Sequence, residues 1–92
     1  MVSIDVKQIM DGRDFPTAGA YLYSMIIPHI DTEDKIYLDL QGVSVLPSMF
    51  LSMSFGKIIK ERGVAFLKSK LVFTNIKASD ITRIKEYVAR FE

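Results

Sequence analysis

The chain has no cysteine and no tryptophan among its 92 residues, and a single histidine, His29. Without cysteine there is no disulfide, no thiolate nucleophile and no cysteine-ligated metal or iron–sulfur site, so packing must supply the stability. One histidine without a spaced second ligand specifies no metal site, and no acid–base partner for it can be read from the sequence. An excess of one charge is also lacking. Twelve lysines and arginines stand against 11 acids, a formal net charge of +1, which gives no whole-chain field to attract nucleic acid or an anionic membrane. The five glycines, Gly12, Gly19, Gly42, Gly56 and Gly63, form neither GxGxxG nor GxxxxGK, so no phosphate-binding loop is present. No apolar run approaches the roughly 20 residues that span a bilayer. The opening MVSIDVKQIMDGRDF has charges where a secretory signal needs a continuous apolar stretch. These absences lead to the expectation of a cytoplasmic protein without cofactor or metal, whose partner is neither nucleic acid nor membrane.

What is present is apolar patterning: 49% hydrophobic residues in a chain of this length make one core and one domain over residues 1–92. Residues 2–9 alternate, with Val2, Ile4 and Val6 apolar, and predict a strand ending at the Asp11-Gly12 turn. From Thr17, read as a cap, the spacing of Ala18, Leu22, Met25 and Ile26 predicts a helix that Pro28 ends. Ile36, Leu38 and Leu40 alternate with Tyr37, Asp39 and Gln41, predicting a central strand up to Gly42. A short crossing leads to a helix from Pro47 or Ser48, with Phe50, Leu51, Phe55, Ile58 and Ile59 as its buried stripe and Gly63 as a left-handed cap. Residues 64–69 suggest a helical turn and residues 71–74 a strand ending at Asn75. Ile81, Ile84, Val88 and Phe91 predict a last amphipathic helix over 78–90, with Asp80 and Arg90 placed to suit its dipole. The fold class is therefore α/β, a small β-α-β-α-β-α sheet with helices packed on it and right-handed crossovers.

The words LDLQGV, SMFLSMSFGK and KLVFTN, spanning residues 36–88 with the helix after them, resemble the STAS-like domain family of unknown function, a family related to the STAS domains of anti-sigma-factor antagonists. The resemblance implies a sheet of four strands or fewer, packed helices and a role in protein–protein regulation, with a kinase-like or anti-sigma-type regulator as the kind of partner. In the antagonists a serine at the amino end of the second helix is phosphorylated. Laid on that pattern, Pro47 stands where an aspartate is usual, Ser48 takes the first serine and Met49 takes the phosphorylated one. The acceptor is lost or shifted to Ser48. Ser52 and Met53 replace residues that are acidic in the STAS-like pattern.

The residues themselves suggest three readings. The first is a non-enzymatic module that binds a protein through Pro47, Ser48, Met49, Ser52, Met53 and Gly56. Met49, Met53 and Gly56 recur at steps of four and three, and methionine adapts to varied apolar partners. The second is a small-ligand or catalytic domain using Asp39, Ser48 and Asn75 at the strand ends, where open α/β sheets bind ligands. The third is a domain that self-associates. The plain readings are a helix cap for Ser48, a structural hydrogen bond for Asp39 and a solvated basic face for Lys57, Lys60, Arg62, Lys68 and Lys70.

Overall fold

A computed structural model describes residues 2–92. Three parallel strands, β1 (Val2–Asp5), β2 (Ile36–Asp39) and β3 (Leu71–Thr74), form a sheet in the order β1-β2-β3. Ile4 pairs with Leu38 and Leu38 with Phe73, so β2 is central as its pattern predicts. The expected first strand is shorter than the alternation implied, because Val6–Met10 is helical (α1). The Asp5 carboxylate caps this helix by accepting from Gln8 N at 3.2 Å. An i, i+3 pair, Val6 and Ile9, is what α1 buries, a spacing that period-two counting does not register.

Helix α2 (Phe15–Ile26) begins two residues before the expected cap. Its cap is Asp14, whose side chain accepts from Thr17 N at 2.8 Å, so Thr17 lies inside the first turn. A 3₁₀ turn, Ile27–His29, comes next and carries Pro28. After β2, α3 (Ser48–Leu51), a π-helical turn (Ser52–Gly56) and α4 (Lys57–Arg62) run on without a break. Gly63 ends them at φ 91°, ψ 165°. That conformation is open to glycine almost alone and differs from the left-handed cap expected there. Helix α5 (Val64–Lys70) makes nearly two turns where one was expected, and α6 (Ala78–Ala89) completes the chain.

Both crossovers step in the same direction across the sheet, so right-handed connections stand their helices on one face. The register puts Ile4, Ile36, Leu38, Leu71 and Phe73 on that face. There they meet Ala18, Leu22 and Ile26 of α2 and Phe50, Leu51, Phe55 and Ile58 of the second helical run in one core. Phe55 meets the ring of Phe73 edge-on at 5.6 Å. The other face shows Ser3 and Asp5 exposed and Tyr37, Asp39, Val72 and Thr74 half-buried. Val72 pairs in register with Tyr37 and so turns outward with it. On α6 the buried apolar set is Ile84, Tyr87 and Val88, while Ile81 and, beyond the helix end, Phe91 are exposed, which narrows the predicted stripe. Among the described residues no helix is long and apolar enough to cross a membrane.

Candidate partner-binding site

The segment 40–49 joins β2 to α3 and is held at several points. Val43 N bonds Leu40 O at 3.1 Å, and the buried side chains of Val43 and Leu46 anchor the loop in the core. Residues at and beyond the start of α6 reach over to fasten it. Lys77 Nζ donates to Ser44 O at 2.7 Å, and Arg83 donates through Nε to Leu46 O and through a terminal nitrogen to Ser48 Oγ at 3.2 Å. With its backbone tied down, the loop presents two apolar side chains to solvent. Val45 is 51% exposed and Met49 54%. They bracket Leu46, Pro47 and Ser48, and Ser48 is itself exposed.

Ser48 is not the helix cap. Pro47 occupies the cap position with no side-chain hydrogen bond, and Ser48 is the first helical residue. Its hydroxyl therefore remains at the surface, where it accepts from the Arg83 guanidinium. Ser52 is exposed and accepts from Tyr87 OH at 3.3 Å. Ser54 is fully buried, and its hydroxyl donates to Phe50 O at 2.7 Å within the π-helical turn. Such a turn rotates the residues beyond it relative to a regular helix. Met49, Met53 and Gly56 consequently do not share the single face that their spacing predicts. Met53 is half-buried, with its Cβ against Gly19 of α2, and Gly56 is buried beneath the Tyr87 hydroxyl. Met49 alone of the three is open to a partner.

Asp39 and Asn75 are brought together at the carboxyl ends of β2 and β3. Asp39 Oδ1 accepts from Asn75 Nδ2 at 2.9 Å and from Gln41 N at 2.9 Å. Asn75 stands at φ 52°, a conformation asparagine tolerates better than most residues. The Asn75 amide first, and the Gln41 amide second, hold the Asp39 carboxyl below its ordinary value of 3.8. This is a latch between strand ends that engages one oxygen of the carboxylate. Asp14 and Asp31 are also lowered, by Thr17 and by Arg62 respectively. The unfolded chain thus binds protons first as pH falls. The contribution of these three carboxylates to stability is present above about pH 4 and fades as pH drops through their lower folded values. Asn75→Gly, which keeps the positive φ available, should raise the Asp39 midpoint toward 3.8 in an NMR titration. An unmoved midpoint would assign the shift to Gln41.

The lysines and arginine that cluster in sequence do not form one basic face. Arg62 pairs with Asp31 at 2.8 Å, Lys68 with Glu92 at 2.7 Å, and Lys57 sits over the Tyr23 ring. Lys70 is buried, donating to Thr32 O at 2.6 Å. Sequence reasoning missed Val45, Lys77 and Arg83. Val45 looked like part of an apolar crossing, and nothing local marks Lys77 or Arg83 as reaching a loop more than 30 residues earlier.

A family model described as a STAS-like domain of unknown function matches residues 18–80. It includes most of α2, the central strand, the loop and the π-helical turn, and stops short of Arg83 and Tyr87. No curated protein and no solved structure gives a significant match. The match covers well over half of the 92 residues, and the chain belongs to this family of STAS-like domains of unknown function.

Proposed function

We propose that this chain is a non-enzymatic regulatory module that docks a protein partner on the loop and helix start at residues 45–49. The observation that carries the reading is the pair Val45 and Met49, both more than half exposed on a backbone fastened from α6 by Lys77 and Arg83. A fixed apolar patch loses little entropy when it is covered, and that raises affinity. Ser48, between the two, is the hydroxyl that a partner of the kinase type would reach. Phosphate added there would gain a charge-assisted bond from Arg83. The latched carboxylate of Asp39 supports a non-catalytic role for the strand ends.

The test compares three baits in extract of the native cell: the wild type, Met49→Asp, and Met25→Asp as a control on an exposed residue of α2. A true partner is retained by the wild type and the control and falls about tenfold or more with Met49→Asp, because a carboxylate buried in an apolar contact loses its hydration. Thermal melts of all three should coincide. Equal capture by Met49→Asp would move docking elsewhere, and a collapsed melt would make Met49 part of the core.

A further inference from the structure

The side of the molecule that carries β3 has two unfilled features next to each other. The first is backbone. Thr74 turns its carbonyl toward β2, accepting from Leu40 N at 3.0 Å, and because neighbouring residues of a strand address opposite edges, Phe73 turns its N–H and C=O to the open edge of the sheet. Edge strands are ordinarily blunted by being very short, or by charge, proline or a bulge. Leu71-Val72-Phe73-Thr74 is short, at four residues, but carries no charge, proline or bulge. The β1 edge differs, since the hollow beside it is lined by Ser3, Asp5, Gln8 and Arg13 among others.

The second feature is side-chain. A groove of about 610 Å³ runs under the same edge between α5 and α6, walled by Leu67, Leu71, Phe73, Ile81, Ile84 and Val88. Its polar rim is Lys68, Lys85 and Glu92, of which Lys68 and Glu92 neutralise each other at 2.7 Å. The rim therefore offers little charge to attract an ionic ligand, and the walls require an apolar one.

We propose that this side is the interface of a two-fold dimer of the chain, formed by antiparallel pairing of β3 with β3 of a second copy. A second copy supplies what both features lack: a strand for the edge, and a matching apolar groove to close this one. The faces of the sheet restrict the register. Residues opposite each other in an antiparallel pair must share a face, so a two-fold axis at Phe73 sets Phe73 against its equivalent, which exchange both N–H···O bonds. The axis stands perpendicular to the sheet and keeps the helices of both copies on one side. A six-stranded sheet then covers a single joined apolar interior. The molecule measures 29 × 28 × 23 Å, so a side of it is wide enough to hold a standard specific interface of about 800 Å² per copy.

This interface uses none of Val45, Ser48 or Met49, so it stands or falls apart from the docking reading. Sedimentation equilibrium of the full chain gives the oligomeric state, and amide hydrogen exchange gives the strand. The expected result is a monomer–dimer equilibrium in which the Phe73 amide gains protection as concentration rises. Ile81→Glu, at a side chain already 37% exposed, should weaken dimerisation about tenfold or more without changing the melt of the dilute monomer. Met49→Asp should leave dimerisation unchanged. A chain that stays monomeric at millimolar concentration overturns the proposal, as does a dimer whose Phe73 amide stays unprotected or that survives Ile81→Glu. Dodecanoate binding in the groove of a persistently monomeric chain would overturn it in favour of a small apolar ligand.

Discussion

Phe55→Ala is expected to lower the unfolding free energy by about 3–5 kcal/mol, a large share of what a domain of this size has to lose. Phe55 is almost wholly buried and lies in the π-helical turn, against Phe73 of β3. Its ring meets Phe73 at an interplanar angle of 86°, an edge-to-face arrangement that adds to simple burial. Truncation removes that contact and leaves a cavity bounded by the sheet on one side and helices on the other, neither of which can move far to fill it. Urea unfolding followed by circular dichroism measures the change. A midpoint within error of the wild type would mean that Phe55 does not hold the sheet to the helix above it.

Gly19→Ala should also destabilise the fold, despite adding only a methyl group. A Cβ at this position would lie 2.6 Å from the carbonyl oxygen of Phe50 and 2.8 Å from the Cβ of Met53. The first is backbone of the neighbouring helix and cannot rotate away, so α2 must separate from α3 to make room. Overpacking of this kind costs about 1–3 kcal/mol, occasionally more. Alanine gains about 1 kcal/mol in helix propensity over glycine, and we expect the clash to exceed that gain by about 2 kcal/mol because the opposing atom belongs to the main chain. Gly12→Ala separates this effect from backbone strain. Gly12 has φ 75°, and a methyl group there would meet nothing within 4 Å, so its cost is that of the left-handed conformation alone, about 1–2 kcal/mol. A Gly19→Ala chain as stable as the wild type would show that close approach of the helices is not what Gly19 provides.

The class of fold, the central place of β2 and the limits of β3 could be read from the residues because alternation over a buried strand is a strong, local signal. Leu38 and Leu40 show it without ambiguity. The first helix start was misplaced because Asp14 and Thr17 are both good caps, and only the bond from Thr17 N to Asp14 decides between them. The candidate site was half legible. The junction after β2 was found, but Met53 and Gly56 were assigned by regular helical spacing, and the π-helical turn breaks that spacing at Ser52–Gly56. Ser54 looks like any surface serine until its hydroxyl is seen bonded to Phe50 O inside the core. Arg83 and Lys77 act across the whole length of the second half of the chain, and no local pattern carries that information.

The one-sided placement of the helices divides the molecule's tolerance of change unequally. Every residue that points from the sheet toward the helices must fit a shape set by at least two other elements. Ser3, Tyr37 and Val72, on the reverse side, lie on the face the helices leave uncovered, where Ser3 is exposed and the other two are half-buried. Chemistry on that side is therefore free to vary while the fold stays constant, so related chains can differ in what this face meets without repacking anything beneath it.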